Sequence, residues 1–367
     1  MKNDVYITAA ELVTGYGFGT APCMDGLFAG RHAFRKITRF PTEPFGCSLA
    51  ATIPDYAPPE DRSFLEPVLE FLAGSQIRCP AEAELFFAAT LGEADRLENP
   101  ENRWTADTLF EKALKIFHKK GGILYSGACS SSNIAMARAA SMIRNRRIPA
   151  ALVVACDYVS EFVYSGFASL ASMSPEPARP FDRDRRGLVL GDAAGLLALA
   201  SEETVEKYSL PVLGKVGGWG ITTDALHVTA PDTEGRQMAR AMRLAMGEAC
   251  APGDVGLVIG HGTGTLFNDE MEIRAVNTVF PEGIPLVSTK GGTGHTLAAA
   301  GMIQAAAALE VLKRRAVFPQ TNLQVPASGA EFLVSEEVRP LEKPRILSLN
   351  AGFGGCNAVL MLEAAHA

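Results

Sequence analysis

The stretch YSGACSSSN (125–133) sets one cysteine between a short apolar run and several small hydroxylated residues. Cys129 is either a buried structural thiol, as most intracellular cysteines are, or a nucleophile. The residues that follow, NIAMARAASMIRNRR, carry apolar side chains at helical spacing without Gly or Pro, so a helix is expected to open at Cys129. A thiol in the first turn of a helix faces unpaired N–H groups and the positive end of the dipole, and both favour the reactive thiolate. Two histidines occupy similar places. VIGHGTGTLFNDEME puts His261 at the end of an apolar strand, in a Gly/Thr loop that leads into a helix. STKGGTGHTLAAAGM puts His295 at the mouth of an Ala-rich helix. A single histidine after a strand is more often a packing or capping residue. Two in such loops, with a cysteine at a third junction, point to an active site, because α/β proteins build sites beyond the carboxyl ends of strands. His32, His118 and His366 stand in polar surroundings and read as surface residues, while His227 in TTDALHVTAP falls in a loop and stays undecided. Thiolate and imidazole also suit zinc, but the three residues are too widely spaced for a compact ligand motif, and no metal is expected. GTGTLFND and GGTGH match neither GxxxxGK[ST] nor a GxGxxG after a strand, which argues against nucleotide binding.

The elements that must position these residues alternate between strands and helices. DVYITAAELVTG reads as a strand and APCMDGLFAG as a short helix. The proline-rich stretch from 40 to about 105 reads as loops with short helices. TADTLFEKALKIFHKK has a helical period, GGILYSGA is a strand, and PAALVVACD is a short apolar strand covered on both faces. AAGLLALAS is a further strand, and the second half repeats the course: strand PVLGKVGGWG, helix EGRQMARAMRLAMGEAC, strand VGLVIG, helix DEMEIRAVNTVF, strand IPLVST. Helix LAAAGMIQAAAALEVLKRR is rich in Ala and Gly and is expected deep between layers, before the closing strands PRILSLNAG and NAVLMLEA. This alternation is an α/β layer architecture without a low-complexity linker.

The chain has 367 residues, 47% hydrophobic and 20% charged, enough for a large core built from two halves. A formal charge of −7 gives no reason to expect nucleic-acid binding. The opening MKNDVYITAAELVTG lacks the basic start and apolar run of a signal peptide, and no apolar stretch is long enough to span a membrane, so a cytoplasmic protein is expected. Seven scattered cysteines without a CxxC pair argue against a disulfide framework.

Five segments taken in order, ACSSS, SMSPEPARPFDRDRRGLVLGDAAG, HGTGTLFNDEME, STKGGTGHTLAAAG and NAGFGGCNAVLMLE, resemble the signatures of the β-ketoacyl synthases, the decarboxylating condensing enzymes of fatty-acid and polyketide assembly. The likeness covers the chain from about 120 to its end, is weaker over 1–50, and fails over roughly 50–120, where this chain is shorter than its relatives. It implies a thiolase-like layered αβαβα fold of two similar halves, 1–205 carrying Cys129 and 206–367 carrying His261 and His295. It also implies that Cys129 accepts the acyl group and that His261 and His295 bind the thioester oxygen. Lys290 would act beside them, paired with Asp269 or Glu272. The residues alone also allow those two carboxylates to be ordinary acids at a helix N-terminus. Phe353 matches a gate whose N–H joins that of Cys129 as an oxyanion hole, and Asp224 matches a loop that moves with the gate. Ala351 and Cys356 depart from the family pattern, which often has phenylalanine and threonine there. The resemblance further implies no cofactor, an acyl carrier protein as substrate donor, and a homodimer or a heterodimer with a related subunit. A thiolase, the nearest rival enzyme, would need a second catalytic cysteine, for which Cys356 is the candidate. A non-catalytic partner subunit would usually lack the first cysteine. Carrier docking needs a local basic patch: Arg144, Arg146 and Arg147 read as a solvated helix end, with RDRR (183–186), Lys119 and Lys120 as competitors.

Overall fold

The two halves of the chain each contribute five strands to one sheet path, in the same order and with the same senses. In the first half Gly122–Tyr125, Glu84–Ala88 and Ala150–Asp157 run parallel, then Ala193–Ser201 and Val5–Thr14 follow antiparallel. In the second half Leu286–Val287, Leu257–Ile259 and Arg345–Gly352 run parallel, then Cys356–Glu363 and Gly214–Thr223 follow antiparallel. Within that sheet the halves meet where Tyr6 pairs with Lys215 and Ile7 with Gly214. A two-residue strand, Gly17–Phe18, hangs off Val5–Thr14. The structure is a computed structural model that describes residues 3–57, 63–93 and 106–365.

Burial explains the strand sequences. AALVVACD and AAGLLALAS are buried along their whole length, as continuous apolar runs must be when both faces of a sheet are covered. The helices Ser131–Arg144 and Ala300–Arg314 pack on one another and on strands of both halves, forming the middle layer. Arg236–Met246 and Leu266–Val279 pack as a pair outside the second half, and Glu66–Gly74 and Ala106–Ile116 outside the first. The result is five layers, αβαβα. The central helices can approach closely because they are built from small residues: the N–H of Gly301 donates to Ser132 Oγ at 3.0 Å, and a Cβ at Gly301 would overlap Asn133.

Three expectations are corrected. Glu84–Ala88, inside the stretch read as loops and short helices, is a strand between Gly122–Tyr125 and Ala150–Asp157. Five residues, of which Leu85, Phe86, Phe87 and Ala88 are buried, are too few to show a period, so the signal is lost among the flanking prolines. Residues 58–62 and 94–105 of that stretch lie outside the described residues. The helix after Cys129 begins at Ser131, with Ser130 as N-cap, so the thiol precedes the first turn. Arg144 is not a solvated helix end: it donates to Val216 O at 2.8 Å and Gly217 O at 3.1 Å and stacks over Trp219.

Candidate active site

Cys129, His261 and His295 all lie beyond the carboxyl ends of parallel strands, after Gly122–Tyr125, Leu257–Ile259 and Leu286–Val287. They line one cavity of about 310 Å³ together with Phe167, Asp224 and Phe353. Ala351 also lines it; Cys356 does not.

The nucleophile candidate sits on a sharp turn. Ala128 is held at φ 48°, in the left-handed region that residues with a Cβ rarely adopt. Two of the three serines that follow Cys129 hold the turn. Ser131 Oγ accepts the N–H of Gly127 at 2.8 Å and donates to Ala128 O at 2.6 Å. Ser130 Oγ reaches Cys356 O at 3.0 Å and Asn350 O at 3.3 Å, which ties the turn to the second half. The expectation of a resting thiolate is corrected. Burial pushes the Cys129 thiol up to about 12, against the opposing pull of the Lys290 charge and of the nearby N–H groups of Cys129 and Phe353. Those two N–H groups mark the place where negative charge would be stabilised.

The two imidazole rings stand 5.3 Å apart, nearly perpendicular. Burial first, and the Lys290 charge second, hold both well below the ordinary histidine range, so both are neutral near pH 7. His295 Nδ1 accepts the N–H of Leu297 at 3.2 Å, which leaves its proton on Nε2. Lys290 is buried, and its ammonium donates to His261 O at 2.5 Å and lies 3.3 Å from His261 Nδ1. The expected Lys290 ion pair with Asp269 or Glu272 is therefore not what forms. Both carboxylates accept backbone N–H groups instead, and Asp269 also accepts from Asn268 Nδ2 at 3.1 Å and lies 3.8 Å from the Arg185 guanidinium. Glu272 accepts from His261 and Gly262, the latter at 2.7 Å, and Asp269 from Thr263 and Phe181, each at 2.9 Å, and from Gly264 at 3.1 Å. These acids pin the His261 loop, and burial raises both above the usual carboxylate range.

Phe353 is 40% exposed and stacks on Phe167 with ring centroids 5.8 Å apart; Phe167 in turn faces His295. Its hairpin is zipped to the Asp224 loop: Gly354 donates to Val228 O at 2.6 Å, Asp224 to Gly355 O at 2.8 Å, and Asn357 Nδ2 to Asp224 Oδ1 at 2.7 Å. His32, His118 and His227 are exposed and take no part, and His366 lies outside the described residues. Among the described residues no group of His, Cys, Asp or Glu converges as metal ligands do. No described helix is long and apolar enough to cross a membrane.

This architecture and site have relatives. The family described as Beta-ketoacyl synthase, N-terminal domain, matches residues 121–204, and Beta-ketoacyl synthase, C-terminal domain, matches residues 213–324, together more than half of the chain. The chain belongs to the β-ketoacyl synthase family. It is similar to nodulation protein E of Rhizobium meliloti, 32% identical over 65% of this chain and 60% of that protein. The matched part thus spans less than two thirds of that relative's length. A 3-oxoacyl-[acyl-carrier-protein] synthase 2 of Coxiella burnetii (strain RSA 493 / Nine Mile phase I) is 27% identical over 99% of both chains. Among solved structures, the ishigamide ketosynthase/chain length factor superposes with a TM-score of 0.90 at 25% identity, covering 99% of this chain and 100% of that one. The fold is the thiolase-like layered fold of these synthases.

Three residues of the site went unnoticed in the sequence. Asp157 accepts the N–H groups of Thr90, at 3.1 Å, and Ala298, at 2.8 Å, and so ties the first half to the turn after His295. Its one signal is an acid closing an apolar strand. Gln304 is the lone uncharged polar side chain in an Ala-rich helix, and Asn350 follows a buried strand run; both are fully buried beside His261.

Proposed function

We propose that this chain is a β-ketoacyl-[acyl carrier protein] synthase, which loads an acyl chain on Cys129 and extends it by decarboxylative condensation with a malonyl thioester. One observation carries the reading: a thiol beside two backbone N–H groups shares a single cavity with two neutral imidazoles. In the first step the Cys129 sulfur attacks the carrier thioester, its S–H proton passes to the departing phosphopantetheine thiolate, and the acyl–enzyme thioester forms. The N–H groups of Cys129 and Phe353 stabilise the tetrahedral oxyanion. In the second step the malonyl thioester loses carbon dioxide, and enolate charge develops on its carbonyl oxygen. His261 and His295 donate Nε2–H bonds to that oxygen, which neutral imidazoles can do. The enolate carbon then attacks the acyl–cysteine carbonyl, the C–S bond breaks, and the Cys129 thiolate leaves and takes up a proton from water. Lys290 holds the His261 loop and favours charge on the sulfur, Asp269 and Glu272 pin that loop, and Phe353 with Asp224 gates the entrance.

The same reading covers partners. Substrates arrive on an acyl carrier protein, in fatty-acid or polyketide assembly, and the chain works as a homodimer or beside a related subunit. Gly122–Tyr125 supports this: it is an edge strand, paired on one side to Glu84–Ala88, with Ile123 exposed. We assign residues 1–205 as the half that supplies the nucleophile and 206–367 as the half that supplies the histidines.

The test is mass spectrometry after incubation with acyl and malonyl carrier protein. The acyl mass is expected on Cys129, followed by a product two carbons longer, and Cys129→Ala is expected to lose both. A Cys129→Ala protein that condenses at the wild-type rate overturns the proposal. Malonyl-CoA serving as well as the carrier substrate, with turnover insensitive to salt, removes the carrier from it.

A further inference from the structure

Nδ1 of His261 faces two groups that make opposite demands. Asn350 Oδ1 lies 3.3 Å away and Lys290 Nζ also 3.3 Å. The Asn350 amide cannot turn, because its Nδ2 donates to Gln304 Oε1 at 2.6 Å. Gln304 cannot turn either: its Nε2 donates to Gly260 O at 2.8 Å and Leu349 O at 3.1 Å, and its Oε1 also accepts Ser348 Oγ at 2.8 Å. All three side chains are fully buried, so no solvent competes. Asn350 therefore offers Nδ1 an acceptor, whereas a lysine ammonium offers it only donors. One ring nitrogen cannot satisfy both. Bonded to Lys290, Nδ1 is a lone pair and the proton sits on Nε2; bonded to Asn350, Nδ1 carries the proton and Nε2 is bare. His295 faces no such contest, since its Nδ1 accepts a backbone N–H.

We propose that Asn350, locked by Gln304, is a positioning residue that contests His261 Nδ1 with Lys290, so that His261 presents a donor to the substrate only while Lys290 is protonated. The inference rests on His261 being a donor to the thioester oxygen. The titratable groups that act on the pair come from three segments. Glu272 and Asp269, on Leu266–Val279, favour the Lys290 charge, as would Cys129, before Ser131–Arg144, once ionised, while burial opposes it more strongly and lowers the lysine below its ordinary range. Glu272 also accepts the His261 N–H, and His295 adds to the depression of His261. The charge on Lys290 is thus lost at a lower pH than that of a solvated lysine, and the tautomer of His261 follows it.

The experiment records imidazole ¹⁵N shifts in the ¹⁵N-histidine-labelled full-length protein from pH 6 to 10, beside malonyl-carrier-protein decarboxylation over the same range. In the wild type His261 is expected to move its proton from Nε2 to Nδ1 as pH rises, with decarboxylation kcat falling about tenfold or more and KM little changed. His295 should keep its Nε2 proton throughout. Asn350→Leu removes the competing acceptor, and Gln304→Met frees the Asn350 amide to turn its Nδ2 toward the ring. Either variant is expected to move the alkaline loss upward by about one pH unit or remove it. A His261 tautomer that stays constant with pH in the wild type overturns the inference, whatever the variants do. Folded variants that keep the wild-type alkaline limb overturn it too. A tautomer shift with unchanged decarboxylation leaves the contest standing and instead removes His261 as a donor.

Discussion

The two halves repeat one strand order, yet they hold their active-site loops by different means. In the first half the turn at Cys129 is held by neutral groups: Ser130 and Ser131 hydroxyls, a strained Ala128 and a surrounding cluster that includes Val159, Val163 and Leu297. In the second half the loop at His261 is held by buried charge, with Glu272, Asp269 and Lys290 each bonded to its backbone. The difference matches what each loop carries. In the proposed mechanism the thiol stays protonated until substrate arrives, and its apolar surroundings disfavour the anion. The same mechanism needs rings that stay neutral and donate, and burial with the nearby Lys290 ammonium disfavours the imidazolium. Topology is shared; the electrostatic character of each loop is local.

The largest test of that contrast removes the reacting groups. Cys129→Ala should abolish acyl–enzyme formation, whereas His261→Ala or His295→Ala should lower malonyl decarboxylation by about two to three orders of magnitude while acyl loading survives better. Loading that falls as far as decarboxylation in the histidine variants would erase the division of labour between the halves. Next comes the pinning charge. Asp269→Ala leaves the N–H groups of Phe181, Thr263 and Gly264 without their acceptor and should cost about 3 kcal/mol or more in denaturant unfolding. An equal cost for Ser131→Ala would show that the two loops are held alike.

A smaller effect sharpens the comparison through pH. Burial raises the Asp157 carboxyl from 3.8 to about 6. A raised folded value means its contribution to stability is complete below about pH 4 and is lost as pH climbs toward 6. Asp157→Asn should therefore be more stable than wild type at pH 7, by about 3 kcal/mol at most, and the gain should vanish by pH 4 in thermal melts. A gain independent of pH would remove the buried charge from the account. Smallest is a rate profile: alkylation of Cys129 should keep accelerating above pH 9, because its thiol is pushed up to about 12. A plateau near neutral pH would reinstate the thiolate that the helix-terminus argument anticipated.

Much of the site was legible before the fold. A cysteine and two histidines at strand-to-helix junctions are short-range features, as is the GFGG turn around Phe353, where Gly354 and Gly355 take positive φ. The strand Glu84–Ala88 was not legible, since a segment covered on both faces shows no alternation. Nor were the roles of Asp269 and Glu272. A helical acid looks the same in sequence whether it meets an ammonium or a row of backbone N–H groups.

The sequence by itself determined the alternation of strands and helices, the pairing of Ala- and Gly-rich helices with buried strands, and which residues stand at the carboxyl ends of those strands. These follow from periodicity and side-chain size, which neighbours along the chain express. Only the tertiary structure decided that Lys290 bonds the His261 loop rather than a carboxylate, that Cys129 rests as a thiol, and that Gln304 fixes Asn350 against His261. Each of these depends on groups far apart in the chain and on the loss of water around them. Burial and hydrogen-bond direction at such a site arise only when the layers close.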